Sequence, residues 1–162
     1  MAETEDADEP QNVLVEASFM PQSGRDDDVF GLGIYAYPEE PGWGLGIQFQ
    51  GTVRTIDPEV DVLLDPPASE EEGRTRAFTI DAVATHRLTP QFGVFAGVGV
   101  ATFEDFRRFT DLVGTSFFIS TGRDVEVNGT AGFHFWVTEA FTVSAQYDSA
   151  FDAATFGIGY RF

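Results

Sequence analysis

The sequence predicts an all-β fold, an eight-stranded antiparallel up-and-down transmembrane β-barrel, on three observations. Eight separate segments alternate apolar residues with polar ones or glycines at a period of two. The connections between them alternate short and long. Glycines gather on the face opposite the apolar one. Helical periods hardly occur: Phe106, Phe109, Leu112 and Val113 are spaced for one short turn in a connection and nothing longer.

In chain order, residues 1–11 form an acidic tail, with acids at Glu3, Glu5, Asp6, Asp8 and Glu9, expected to be disordered. The barrel then occupies residues 12–162. Its first two strands, NVLVEASF and VFGLGIYAY, alternate weakly. The third, GWGLGIQFQGTV, is the clearest, with Trp43, Leu45, Ile47, Phe49 and Val53 opposite Gly44, Gly46, Gln48, Gln50 and Thr52. AFTIDAVAT runs through Phe78, Ile80, Ala82 and Ala84, and FGVFAGVGV through Phe92, Val94, Ala96, Val98 and Val100. The sixth, VEVNGTAGFHFWV, sets Val125, Val127, Ala131, Phe133, Phe135 and Val137 against Glu126, Asn128, Thr130, Gly132, His134 and Trp136. FTVSAQYD and ATFGIGYRF complete the series. Tight links, PEEPG, LTPQ and VTEA, follow the second, fourth and sixth strands and mark one rim. Longer polar stretches follow the first, third and fifth: PQSGRDDD, Arg54 to about Thr75, and Glu104 to Asp124. With a short DSAFD after the seventh, they mark the other rim.

Composition narrows the setting. The chain has 162 residues, no cysteine and 17 phenylalanines, so one domain must build its core without disulfides or thiolate metal sites. No apolar run approaches the roughly 18 residues of a membrane helix. The net charge of −18, with all nine basic residues Arg, repels a phosphate backbone, so nucleic acid is not expected as a partner. The two faces decide between a soluble barrel and a membrane one. A soluble barrel fills its lumen with apolar side chains, and glycines on its outer face would be wasted on solvent. Here Gly31, Gly33, Gly93, Gly97, Gly99, Gly132, Gly157 and Gly159 share the non-apolar face, where they make room for Tyr35, Tyr37, Phe95 and Trp136. The apolar face must then look outward, an arrangement stable only in lipid. Trp43, Phe92, Phe135, Phe141, Tyr160 and Phe162 all fall outward beside the short-turn rim, as an aromatic girdle does. Strands five and six exceed the roughly 9–11 residues of a span, so their distal ends are expected to stand above the membrane, with Phe117, Phe118 and Ile119 continuing the projection.

The last eight residues, Thr155-Phe156-Gly157-Ile158-Gly159-Tyr160-Arg161-Phe162, resemble the terminal signal of bacterial outer-membrane proteins. Gly157, Tyr160 and Phe162 stand at its glycine and aromatic positions. HRLTPQFGVFAGVGVA and GFHFWVTEAFTVSAQYD resemble the strand-turn-strand cadence of the small eight-stranded outer-membrane β-barrel family, which includes OmpA-type membrane domains and opacity-type proteins. The resemblance covers about residues 12–162 and implies a porin-like, OmpA-like architecture at the cell surface of a Gram-negative bacterium. Implied partners are outer-membrane lipid, lipopolysaccharide and the outer-membrane insertion machinery, with an extracellular ligand left unidentified. Because MAETEDADEP lacks the basic start and apolar middle of an export signal, Met1 is read as an added start and Ala2 as the first residue of the mature chain.

On the inferred luminal side lie Glu16, Asp81, Glu126 and His134, with Arg87 and Arg161 nearer the ends and Arg54 beyond the third strand. Buried charges must be matched, so these read as ion pairs and hydrogen bonds. A lipid-modifying enzyme would need His134 beside a serine on the lipid side; instead His134 is luminal and Trp136 stands where the deacylase motif places Ser. No catalytic residue, metal site or cofactor is expected. A narrow channel for small solutes or ions is the alternative function, weakened by how little room eight strands leave. His86 faces outward near the short-turn rim. The stretch Arg54–Thr75 carries Asp57, Glu59, Asp61, Asp65, Glu70, Glu71 and Glu72 and, with Asp26, Asp27 and Asp28, forms an acidic outer rim. Within it Val62, Leu63 and Leu64 read as a packed loop segment or an adhesin's contact patch. The function expected is a structural or surface-binding role through these loops.

Overall fold

A computed structural model describes residues 11–21, 28–52, 69–110 and 116–162. Eight strands form one closed antiparallel barrel in chain order: β1 Gln11–Met20, β2 Val29–Pro38, β3 Gly42–Thr52, β4 Ser69–Thr89, β5 Phe92–Thr110, β6 Ser116–Trp136, β7 Phe141–Asp148 and β8 Ala153–Arg161. Closure comes from β1 against β8, in register from Leu14↔Arg161 to Phe19↔Phe156. No sheet edge therefore remains at membrane depth.

The wall is apolar outside and the lumen is full. Trp43, Leu45, Val127 and Ile158 are 74, 72, 78 and 67% exposed on the outer face, while Gln48, Asp81 and His134 are buried inside. In water such a surface would aggregate; in lipid it is the solvated face. On β4 the outward residues run from His86 at the short-turn rim to Arg76, about 25 Å at ~3.3 Å per residue and typical barrel tilt. That matches the height of a barrel's apolar band. Among the outward aromatics, Trp43 lies against His86 at 4.4 Å, Phe141 against Tyr160 at 5.2 Å and Tyr160 against Phe162 at 4.9 Å.

Glycines supply the space inside. A Cβ at Gly33 would strike the ring of Tyr35, and one at Gly157 would lie 2.7 Å from the Glu16 carboxyl carbon. Each is thus fixed by a bulky luminal neighbour, and Gly93 and Gly132 likewise face luminal rings, those of Tyr37 and Phe95.

Three boundaries differ from the sequence reading. β1 begins one residue early, at Gln11 opposite Pro38. Residues 69–75, expected in a loop, belong to β4, because pairing with β5 continues out to Ser69↔Thr110 across a bulge at Glu71/Gly73. The stretch from Glu104 to Asp124 is likewise mostly strand, interrupted by a bulge near Asp105/Phe106. Phe106 and Phe109 accordingly lie in β5 and not in a helical turn, while Leu112 and Val113 fall outside the described residues. Polar composition disguised these segments because sheet pairing, not burial, makes them strands.

Candidate functional site

The lumen is layered. At the short-turn half, Leu14, Tyr35, Tyr37, Val83, Phe95 and Trp136 form a buried cluster. His134 sits among them, its ring centre 4.7 Å from those of both Tyr35 and Phe95. His134 Nε2 lies 2.8 Å from Glu16 Oε2 and Nδ1 lies 2.7 Å from the Tyr37 hydroxyl, so both ring nitrogens are engaged. Tyr35 donates to Gln48 Oε1 at 3.0 Å.

Above this plug lies a polar belt. Asn128 Nδ2 donates to Asp81 Oδ1 and Oδ2 at 2.9 and 3.1 Å and to Asp148 Oδ2 at 2.9 Å. Its own Oδ1 accepts from Ser149 Oγ and the Ala150 amide, which fixes the amide's orientation. Gln50, Gln146, Thr79 and Thr155 add buried polar atoms without protein partners, as groups bound to luminal water have.

A second apolar cluster, Met20, Val29, Ala77, Ala101, Phe103, Ala150 and Phe151, caps the belt toward the long-loop end. The β7–β8 turn builds part of this cap. Asp148 Oδ1 accepts from the amides of Ala150 and Phe151, and Asp152 takes φ 49°, a left-handed value that Asp tolerates. Phe151 is thereby folded into the lumen, 2% exposed.

Of the residues expected inside, Glu16, Asp81, Arg87 and His134 are buried, but only Glu16 and His134 pair with each other. Arg87 instead donates to the carbonyls of Thr89, Pro38 and Pro90 and lies over the Trp136 ring at 4.9 Å. Glu126 and Arg161 correct the expectation. Glu126 keeps inward parity yet is exposed, because β7 stops at Asp148 opposite Thr130 and the β7–β8 turn that covers Asn128 through Ser149 and Ala150 does not extend to it. Arg161 is half-buried at the short-turn mouth and is not luminal. Asp148 and Asn128 went unassigned as a site, although period-two parity alone puts Asn128 on the face of His134; Asp148 was hidden at a strand end.

Beyond the closed barrel, β4, β5 and β6 project as a three-stranded sheet. The last β3–β4 rung is Gly51↔Phe78 and the last β6–β7 rung is Thr130↔Asp148. Residues 69–77 therefore add about 30 Å of strand at ~3.3 Å per residue. Cross-strand bonds stiffen the sheet: Thr75 Oγ1 to Asp105 at 2.8 Å and Ser120 Oγ to Glu104 at 3.0 Å. Arg76, Arg107, Arg108 and Arg123 are exposed on it, four of the chain's nine basic residues. Arg76, Glu104 and Arg123 share one cross-strand row and border a groove of about 260 Å³. The acids Asp57, Glu59, Asp61 and Asp65, together with Asp26, Asp27, Arg54, Val62, Leu63 and Leu64, lie outside the described residues.

An apolar wall facing outward, a packed lumen, short turns with the start of β1 and the end of β8 at one rim and a projecting sheet at the other define a small transmembrane β-barrel of the outer-membrane type. The solved structures agree in fold. The attachment invasion locus protein Ail of Yersinia pestis is 19% identical, with 94% of this chain and 97% of that one covered and a TM-score of 0.59. Its complex with the heparin analogue sucrose octasulfate gives 17% identity, the same coverage and 0.58. The N-terminal β-barrel domain of Pseudomonas aeruginosa OprF gives 16% identity, 93 and 97% coverage and 0.53. No protein-family model and no curated protein sequence matches the chain.

Proposed function

We propose that this barrel is a non-catalytic outer-membrane protein whose role is surface binding at the long-loop end. The observation that carries the reading is the extension of β4, β5 and β6 to 21, 19 and 21 residues, about twice a membrane span of roughly 9–11, while the other strands stay at 8–11. A stiff sheet held clear of the membrane has no part in anchoring the barrel and presents side chains to the exterior. The acidic stretch from Arg54 leads into this sheet, and its exposed arginines offer local cationic contacts beside it.

Two features support a passive lumen. The His134, Glu16 and Tyr37 constellation is wholly buried among aromatic rings, with no space beside it for a substrate. Apolar clusters close the barrel above and below the polar belt, which speaks against steady conduction. Ail binds a heparin analogue in its complex; for this chain a polyanion would meet long-range repulsion from a net charge of −18, and on the long-loop side the arginines of the projecting sheet supply the local positive charge to hold one.

The test is a binding comparison on refolded protein, with lipopolysaccharide vesicles, sucrose octasulfate and matrix proteins as probes. Two variants are used: one lacking residues 55–66, and one carrying Arg76→Gln, Arg107→Gln, Arg108→Gln and Arg123→Gln together. At least one variant should lose binding to a probe by five-fold or more. Wild-type binding that survives both changes would overturn the assignment to this end of the barrel.

A further inference from the structure

The short-turn mouth of the barrel holds a cavity of about 450 Å³ whose wall includes Arg87, Gln91, Trp136, Thr138, Glu139 and Arg161. Two arginines in one small concavity are unusual company in a chain of net charge −18. Arg87 is buried, and its three backbone acceptors position the guanidinium without neutralising it. A guanidinium carries five N–H donors, so two of its N–H groups stay free. Arg161 has no side-chain hydrogen bond or ion pair among the described residues. Trp136, 3% exposed, has an indole N–H without an acceptor. A buried donor of that kind is costly to leave unpaired. Glu139, exposed on the β6–β7 turn, is the acid among the described lining residues, and Glu39 on the β2–β3 turn also lies within electrostatic range of Arg87.

We propose that this mouth cavity is a carboxylate-binding site, in which Arg161 and the free N–H groups of Arg87 hold one oxyanion beside the Trp136 ring. Planar paired donors suit a carboxylate, and a partly desolvated site strengthens each charge-assisted bond. Two sources offer that group. One is the chain itself. Gln11 pairs with Pro38, the residue whose carbonyl Arg87 holds at 3.0 Å, and Glu3, Glu5, Asp6, Asp8 and Glu9 precede Gln11 in the sequence. Ten residues reach up to about 33 Å when extended, ample for the distance. The other is a free carboxylate on the short-turn side of the membrane.

The experiment uses the full chain in non-ionic detergent with ¹⁵N-labelled tryptophan, whose two indole signals report Trp43 outside and Trp136 at the cavity. Citrate is the probe. The Trp136 signal should move saturably while that of Trp43 stays fixed. Arg161→Gln should weaken the response at least ten-fold, and Arg161→Lys, which keeps the charge but not the planar fork, should recover only part of it. A chain carrying Glu3→Gln, Glu5→Gln, Asp6→Asn, Asp8→Asn and Glu9→Gln separates the sources. If the tail fills the site, this neutralisation moves the Trp136 signal without citrate and tightens citrate binding; if the ligand is free, it changes neither and citrate still titrates. A Trp136 signal that responds neither to citrate nor to neutralisation overturns the site, as does a response that Arg161→Gln leaves intact.

Discussion

Strand β6 crosses two regions that treat the same alternation differently. Between Asn128 and Trp136, along the closed barrel and the β7–β8 turn that covers its last rung, the inward residues Asn128, Thr130, His134 and Trp136 are buried. In the projecting sheet, Asp124 and Glu126 keep that parity and are exposed. The strand's own pattern is unchanged; what differs is whether β7 and β3 close the ring around it. Burial in a barrel is a property of closure, so a polar residue of given parity is a packed network member at one height and a solvated surface group at another.

Single substitutions sharpen this contrast. The largest effect belongs to His134→Ala, which strips the buried Glu16 carboxylate and the Tyr37 hydroxyl of a shared partner. It should destabilise the barrel by about 3–5 kcal/mol in urea unfolding from detergent or vesicles. An unchanged midpoint would mean the plug is not cohesive. Asn128→Ala removes the amide held between Asp81 and Asp148, leaving two buried carboxylates facing each other, with an expected loss of about 3 kcal/mol. If Asn128→Ala unfolded like wild type, the belt would have to be held by water alone.

Next comes Gly157→Ala, whose new methyl meets Ser144 and Glu16 and should cost about 1–3 kcal/mol through overpacking. Slower recovery of the heat-modifiable gel band would report the same strain. Smallest is Glu126→Gln, expected within about 0.5 kcal/mol of wild type, because the group is solvated. A loss comparable to that of His134→Ala would place Glu126 in a network and erase the distinction between the two regions.

Much of this was legible in the sequence because period-two alternation survives wherever one face meets lipid. The eight strands, the outward girdle through Trp43 and Tyr160 and the inward glycines followed from it directly. The projecting strands were harder: Ser69–Thr75 has no apolar residue in sequence, and in Glu104–Thr110 the buried Phe106 stands among Glu104, Asp105, Arg107 and Arg108, so no regular apolar stripe announces them. The candidate site was read by parity, which placed Glu16, Asp81 and His134 correctly but could not say where closure ends, and so misplaced Glu126. Nor could one-dimensional spacing reveal that Asp148 meets Asp81 through Asn128, since that contact joins β4, β6 and β7 at heights that only the register of the closed sheet sets.

The most direct test of the outward apolar wall uses the two tryptophans, which lie on opposite faces. Trp136→Phe leaves Trp43 as the reporter, and Trp43→Phe leaves Trp136. In vesicles of lipids brominated near the headgroup, Trp43 fluorescence should be strongly quenched and Trp136 fluorescence should be nearly unaffected. Quenching of Trp136 with sparing of Trp43 would reverse the faces and contradict the account.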